Sequence, residues 1–283
     1  MEQILPHAQR LNAEGPLVKS LWRLLAKVWY PVLTRMTRHL TISFLNYGYS
    51  GDQSRGPILE LKHEDETDRA CIQLYDHVTG SIGLGGLKVL EVSCGHGGGA
   101  SYLARYRKPK SLHAIDRNPQ AIRLCKKRHK VPGLTFSCGN AMSLKFPSGT
   151  FDAVVNIEAS HCYPDLPDFF REVLRVLRPG GYFLYADFRD SNSDHATLQR
   201  QVRECDLEFV SQENISRQVV RGMQLNNARN LQLIERLVPA PLRKAARSFV
   251  GSEGSGIYQA LESGSTVYFA YVLRKPIIAR PTA

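Results

Sequence analysis

The stretch Leu-Lys-Val-Leu-Glu-Val-Ser-Cys-Gly-His-Gly-Gly-Gly, residues 87–99, decides the fold of this 283-residue chain. Val89, Leu90 and Val92 form a short apolar run, which is typical of a strand buried on both faces. Clustered glycines then predict a turn with positive φ that also lets a cofactor lie against the main chain, and a helix-compatible segment, residues 100–106, follows. A strand, a glycine turn and a helix predict the opening unit of a nucleotide-binding α/β fold, whose helix presents free N–H groups to a ligand.

The glycines alone leave two cofactors open. Gly95-x-Gly97-x-x-Ala100 fits the dinucleotide pattern, and Asp116 lies 21 residues after Gly95, where a ribose-binding acid belongs. Glu91 favours S-adenosylmethionine instead, because a carboxylate within a strand is costly unless it meets a cation or hydrogen-bond donors. The amino group of a methionyl moiety is such a partner, whereas a pyrophosphate would be repelled. The alternative interpretation of Glu91 is a solvated strand end.

Composition describes an ordinary globular protein, with 43% hydrophobic and 22% charged residues. The chain contains no run of 18 apolar residues, so we predict no membrane span. Residues 1–15 lack the apolar core of a signal peptide. The six cysteines show no CxxC spacing, so we expect no metal site and reduced thiols. These features predict a cytoplasmic protein.

The net charge of +11 would attract nucleic acid, an anionic membrane or an acidic substrate. The basic residues are spread along the chain without interleaved aromatic residues, so we expect no nucleic-acid partner. Residues 17–36 show an apolar and basic helical pattern. We expect this helix to pack on its own domain, and the alternative is a peripheral contact with a membrane.

Strands and helices alternate through the middle of the chain. Predicted helices cover residues 60–80, 119–129 and 166–177, the last closed by Arg178-Pro-Gly-Gly, and predicted strands cover 112–116, 134–137, 151–158 and 182–187. This alternation implies a doubly wound, mostly parallel sheet with the ligand at the carboxyl ends of its strands.

Beyond Asp187 the regular alternation of strands and helices ends. We expect a helix over 196–205, a strand over 207–211, a helical region over 214–250, a glycine-rich loop and a last strand over 266–273. The predicted parts are an N-terminal helical cap and lid (1–85), an α/β core that binds S-adenosylmethionine (86–190), a helical substrate lid with the last strands of a seven-stranded, Rossmann-like sheet (191–275), and a tail (276–283).

The order of motifs resembles the class I S-adenosylmethionine-dependent methyltransferases. The motifs are Glu91-x-Ser93-x-Gly95-x-Gly97, Asp116, Gly139-Asn140-Ala141, Phe151-Asp152 and Leu177-Arg178-Pro179-Gly180-Gly181. The blocks 90–103 and 158–164 are most similar to the phthiotriol/phenolphthiotriol dimycocerosate methyltransferases, and fatty-acid and polyketide O-methyltransferases are similar too. The resemblance implies methyl transfer from S-adenosylmethionine to a hydroxyl or carboxyl group of a lipid, a polyketide or another apolar small molecule.

The same resemblance implies a cofactor site. Glu91, Gly95 and Gly97 would hold the methionyl end, Asp116 the ribose hydroxyls, and Asn140 and Ala141 the edge of the adenine. Two residues depart from the family pattern: Ser93 stands where glycine is usual, so that its hydroxyl could brace the turn, and Asn140 stands where aspartate is usual. The remaining predicted cofactor contacts are Tyr49, Ser93, Arg117 and Glu158. Tyr49, with Tyr47, would close over the cofactor, and a simple packing role is the alternative.

His161 and Asp187 are the predicted catalytic residues. They lie 26 residues apart, past the fourth strand and at the end of the fifth, so both project to the carboxyl edge of the sheet. Related small-molecule O-methyltransferases use a histidine base and an aspartate partner at these strand ends, and the aspartate stabilises the imidazolium. The plain alternatives are a loop histidine bonded to backbone and a helix-capping aspartate.

Other functions stay open at this point. Carbon could be the methyl acceptor, and the Gly95–Ala100 pattern keeps an NAD(P)-dependent oxidoreductase in view. A nucleic-acid methyltransferase is disfavoured because residues 156–159 lack the Asn/Asp-Pro-Pro-aromatic motif. A non-catalytic binding module on the same fold is the last alternative.

Overall fold

The computed structural model describes residues 42–51 and 59–277. The predicted N-terminal tail and the helix over 17–36 lie outside the described residues. The strands are β1 (Lys88–Val92), β2 (Ser111–Asp116), β3 (Leu134–Cys138), β4 (Phe151–Ile157), β5 (Leu177–Arg189), β6 (Glu208–Asn214) and β7 (Val267–Arg274). The helices are α1 (Arg69–Gly80), α2 (Gly98–Tyr102), α3 (Pro119–Arg128), α4 (Leu166–Val176), α5 (Asn192–Glu204), α6 (Ser216–Leu237), α7 (Arg243–Phe249) and α8 (Gly256–Ser263).

The seven strands form one sheet in the order β3-β2-β1-β4-β5-β7-β6. Strands β1 to β5 pair in parallel, and β7 runs antiparallel between β5 and β6. This is the predicted doubly wound, mostly parallel fold. The strand order reverses between β1 and β4, and such a reversal opens a crevice at the carboxyl ends of the two strands.

Hydrophobic clusters cover both faces of the sheet. One includes side chains of α1, α3, α6 and α8, and the other includes side chains of α4 and α5. Every residue of β4 is buried, as is β1 after its first residue, which explains why both strands are mostly apolar. The two central strands therefore form a rigid base beneath the crevice.

Several predicted boundaries differ from the structure. The helix over 60–80 begins as a 3-10 turn at His63–Asp68, before α1. The fifth strand starts at Leu177 rather than at residue 182, because Leu177 already pairs with Phe151 while Gly180 takes a φ of +77°. The Arg-Pro-Gly-Gly residues therefore follow the end of α4, as predicted, but they are already part of β5.

The helical region over 214–250 is divided, and one helix was not predicted. Asn214 belongs to β6, and prolines at 239 and 241 separate α6 from α7, because proline lacks the N–H that a helix interior needs. The unpredicted helix is α8, whose first turn is capped by the Ser255 side chain. None of the helices in 42–51 and 59–277 is long and apolar enough to cross a membrane.

Candidate active site

Glu91 is a buried carboxylate with one free oxygen at the crevice. Its side chain is 1% exposed, and Oε1 accepts a hydrogen bond from the Tyr75 hydroxyl at 2.8 Å. Oε2 has no hydrogen-bond partner among the described residues. Burial raises the pKa of Glu91 to about 7, and the nearby charge of Asp116 adds to this. The solvated alternative for Glu91 is wrong, and the unpaired oxygen suits a ligand that carries an ammonium group.

Asp116, at the end of β2, fixes the glycine turn. Oδ2 accepts a hydrogen bond from the Gly95 N–H at 2.9 Å, and Oδ1 accepts one from the Asn118 N–H at 2.8 Å. Burial raises the pKa of Asp116 to about 6, although both backbone hydrogen bonds oppose the rise. Asp116 thus stands where a ribose-binding acid fits either cofactor, whereas the buried Glu91 carboxylate favours a cationic ligand and disfavours a pyrophosphate.

Ser93 adopts a φ of +61°, a conformation that usually favours glycine. Its hydroxyl lies 2.6 Å from the hydroxyl of Tyr163. The Tyr163 hydroxyl also accepts a hydrogen bond from Nδ2 of Asn156, which donates as well to the Val92 carbonyl. The serine hydroxyl therefore bonds to the floor of the crevice and braces the turn.

The other glycines of the turn make room for the protein itself. A Cβ at Gly99 would lie 2.0 Å from the Tyr75 ring, and one at Gly98 would lie 2.6 Å from the Ser43 carbonyl oxygen. The Gly98 N–H donates to that same carbonyl at 3.0 Å. At Gly98 and Gly99 the glycines therefore make room for the protein's own residues, and the Gly98 N–H is already bonded to the Ser43 carbonyl. Gly97 is likewise packed, against Cys125 and His129.

A segment before α1 crosses the carboxyl edge of the sheet. This segment, residues 42–51, is called the strap. It contacts Gly98 at the turn, and its Tyr47 N–H donates to both carboxylate oxygens of Glu158, at 3.1 and 3.0 Å. Farther along, the Tyr49 N–H bonds the Ala70 carbonyl. Sequence reasoning predicted the Tyr47 and Tyr49 rings as the lid but not these backbone contacts.

His161 and Asp187 lie together, as their positions at the strand ends predict. Nδ1 of His161 is 2.8 Å from Oδ1 of Asp187, and the His161 N–H donates to Oδ2 at 2.8 Å. The His161 ring stacks on Phe188 with centroids 4.3 Å apart. The His161 side chain is 30% exposed, whereas Asp187 is 1% exposed. A buried carboxylate thus holds a partly open imidazole in one orientation.

A polar group behind the pair completes the environment of Asp187. The Ser160 hydroxyl donates to Oδ2 of Asp187 at 2.5 Å, and Nη1 of Arg189 lies 3.5 Å from the same oxygen. Nη2 of Arg189 also bonds the Ser160 and Tyr185 hydroxyls, at 3.0 and 2.6 Å. Neither Ser160, Tyr185 nor Arg189 was predicted from the sequence, because only the pairing of β4 with β5 brings them together.

The charges of this group shift its pKa values in opposite directions. Burial alone would raise the pKa of Asp187, but His161 and Arg189 hold it well below its usual range. Burial alone would lower the pKa of His161, but the charges of Cys162 and Asp187 and the hydrogen bond to Asp187 raise it well above its usual range. Burial raises the pKa of Glu158 to about 8. The imidazole is therefore a strengthened base.

The remaining predicted cofactor residues differ in exposure and in local contacts. Ala141 is buried, and Asn140 is exposed with its Oδ1 accepting from the Met142 N–H at 3.2 Å. Arg117 is exposed one residue after Asp116. Tyr49 stacks on His77 with centroids 4.3 Å apart, so the structure does not bring its ring to the group formed by Glu91, Glu158 and His161.

Comparisons with known proteins identify the family of this chain. A family model described as a methyltransferase domain matches residues 90–185. A phthiotriol/phenolphthiotriol dimycocerosates methyltransferase of Mycobacterium tuberculosis is 44% identical over 91% of this chain and 93% of that protein. A fatty-acid O-methyltransferase of Mycolicibacterium smegmatis is 41% identical over 88% of this chain and 89% of that protein. A geranyl diphosphate methyltransferase, solved in complex with S-adenosylmethionine, has a similar fold (TM-score 0.61, 16% identity, 83% of this chain and 99% of that one).

Because Ser93 has a left-handed backbone conformation, we expect two substitutions at this position to differ in stability. Ser93→Ala and Ser93→Gly both remove the hydroxyl, but only glycine also relieves the positive φ. The glycine variant should therefore be more stable than the alanine variant by about 1 kcal/mol in urea denaturation. Equal stabilities of the two variants would contradict strain at this position.

Proposed function

Because this chain belongs to the family of the phthiotriol/phenolphthiotriol dimycocerosates methyltransferases, we propose that it methylates an oxygen of a lipid-like acceptor with His161 as the general base. The chain is an S-adenosylmethionine-dependent methyltransferase. The observation that carries the proposal is the His161–Asp187 pair, which lies at the same edge of the sheet as a buried carboxylate with an unpaired oxygen.

The buried carboxylates fit the cofactor. Glu91 would receive the ammonium group of the methionyl end through its unpaired oxygen, and Asp116 would receive the ribose hydroxyls. Asn140 and Ala141 would lie along the adenine. S-adenosylmethionine, when bound, supplies a methyl group on a positively charged sulfur, an electrophile that needs little further activation. Glu91 also counts against a nicotinamide dinucleotide, whose pyrophosphate it would repel.

His161 has the geometry of an oriented base. With Nδ1–H donating to Asp187, Nε2 would carry the lone pair that takes the proton of an acceptor hydroxyl, with the Cys162 thiol beside the ring. Stacking on Phe188 limits rotation of the ring. Asp187 then stabilises the imidazolium that forms when Nε2 takes the proton. The residues of the chain thus supply the alignment and the proton transfer.

The acceptor class follows from the relatives. Their names specify phthiotriol and phenolphthiotriol dimycocerosates in one case and a fatty acid in the other. The two acceptors differ chemically, because a hydroxyl must lose a proton during methylation whereas a carboxyl group is already ionised at neutral pH. The presence of an oriented base supports a hydroxyl acceptor for this chain.

The direct test is incubation of the purified protein with S-adenosylmethionine labelled in its methyl group. We expect label to enter long-chain alcohols offered as acceptors, with the product soluble in organic solvent. A long-chain fatty acid serves as the second acceptor, and its product would be a methyl ester. Label in neither acceptor, while S-adenosylhomocysteine still binds, would contradict the proposal.

We expect His161→Ala to lower kcat for an alcohol acceptor by roughly 10²–10⁴-fold, the range for loss of a general base. Its effect on an ionised carboxylate acceptor should be much smaller, because no proton has to be removed. Binding of S-adenosylhomocysteine, measured by calorimetry, should stay unchanged and serves as the control for folding. An unchanged kcat for the alcohol would remove His161 from this role.

The pH dependence should identify the partner of the base. A general base works only when neutral, and the pKa of His161 lies above its ordinary value, so kcat/KM for an alcohol should rise with pH beyond 6.5. Asp187→Asn removes the neighbouring charge, so the rising limb should move to lower pH while the plateau falls. Asp194→Asn, which changes an exposed carboxylate at the start of α5, is the matched control. A limb that stays in place in Asp187→Asn would contradict the pairing.

A further inference from the structure

A narrow apolar groove lies between the strap and the helices α6 and α7. Its volume is about 110 Å³. Apolar side chains from both sides line most of its length, among them Phe44, Leu233, Ile234, Leu237, Phe249 and Val250. We refer to it as the lid groove. His161 and Asp187 do not line this groove, so the proposed catalytic pair does not explain its presence.

Most of the polar side chains at one end of the lid groove already have partners. Arg229 pairs with Asp68 at 2.6 Å. Asn226 donates through Nδ2 to the Tyr47 carbonyl at 3.3 Å, and the Cys71 thiol donates to the Asn46 carbonyl at 3.6 Å. Since these groups are paired within the protein, the lid groove offers a ligand mainly dispersion contacts and apolar burial.

The shape of the lid groove suits a linear chain. Its residues on α6 recur at helical spacing from Asn226 toward Leu237, so one face of the helix forms a wall over roughly 16 Å at 1.5 Å per residue. The polar end is the Asn226 end, and the apolar residues occupy the rest. A ligand with one polar head and a long apolar tail matches this distribution.

The polar end of the lid groove adjoins the candidate active site. Asn46 lines the groove, and the next residue, Tyr47, contacts Glu158 through its N–H. The Tyr47 ring lies 6.0 Å from that of Phe188, on which His161 stacks. Tyr47 thus stands between the lid groove and the site, and the head of a chain seated in the groove would reach the imidazole by passing the Tyr47 side chain.

We propose that the lid groove binds the apolar chain of the methyl acceptor, with the reacting oxygen at its Asn46 end. This inference rests on the proposed function for the identity of the acceptor. Binding follows from burial of methylene groups, so affinity should increase with chain length until the groove is filled.

The test uses the full chain and measures binding of hexadecanoic acid and of decanoic acid by calorimetry. Leu233→Trp fills the groove near its middle, and we expect it to weaken binding of both acids by roughly tenfold or more, the effect of losing about two buried methylenes. Leu237→Trp fills it one turn farther from Asn46, about 6 Å away. This variant should weaken binding of hexadecanoic acid but affect decanoic acid much less.

Leu225→Trp is the matched control, because Leu225 lies on the same helix but is 63% exposed. It should bind both acids like the unchanged protein. All three variants should bind S-adenosylhomocysteine normally, which shows that they are folded. If residues of this chain outside the described part filled the groove instead, Leu233→Trp would lower the melting temperature and leave acid binding unchanged, and that result would overturn the proposal.

The same variants separate the two proposals. Binding of hexadecanoic acid that Leu233→Trp abolishes, without methyl transfer to any acceptor, would support the lid groove and count against the proposed function. Methyl transfer to long-chain alcohols with the same KM in Leu233→Trp and the unchanged protein would support the proposed function and count against the lid groove.

Discussion

Burial of carboxylates at one edge of the sheet is the constraint on which this structure depends. Glu91, Asp116, Glu158 and Asp187 belong to or directly follow four strands whose carboxyl ends meet there, and burial opposes ionisation of each. Asp116 is satisfied by backbone N–H groups, Glu158 by the strap, and Asp187 by His161 and Arg189. Glu91 alone among these keeps an oxygen without a partner in the described residues. The edge is therefore arranged around one unsatisfied negative group, where a cationic ligand would lower the free energy.

Backbone strain accumulates at the same edge. Ser93 follows β1 and Glu158 follows β4, the two strands between which the order reverses, and both have positive φ. A side chain in this conformation costs about 1–2 kcal/mol relative to glycine. The Ser93 hydroxyl recovers part of this through Tyr163, and the Glu158 carboxylate does so through the Tyr47 N–H. Both strained residues point polar groups into the crevice, which agrees with a site that the fold holds ready for ligands.

Sequence patterns predicted the features that depend on local order, and they could not predict contacts between distant segments. The buried run of β1, the alternation of strands and helices, and the approach of His161 to Asp187 all follow from residues near one another or from parallel pairing. The bond from Tyr47 to Glu158 spans 111 positions, and the fit of Ser43 against Gly98 depends on how the strap crosses the sheet. The glycines of the turn show the difference. Their spacing predicted a tight turn, whereas only the structure shows that Tyr75 and Ser43 occupy the space that a side chain at Gly99 or Gly98 would need.

The polar group around Asp187 sets the strength of the base as well as its orientation. A carboxylate beside His161 raises the pKa of the imidazole and so lowers the fraction that is neutral, and active as a base, at neutral pH. The Ser160 hydroxyl and Arg189, at 2.5 and 3.5 Å from Oδ2, hold Asp187 in place beside the ring. A hydroxyl acceptor is a weak acid, so a base of raised pKa removes its proton more readily than an ordinary histidine would. The group thus increases the strength of the base and gives up part of its neutral fraction, an arrangement that helps a hydroxyl acceptor and offers no advantage to an ionised one.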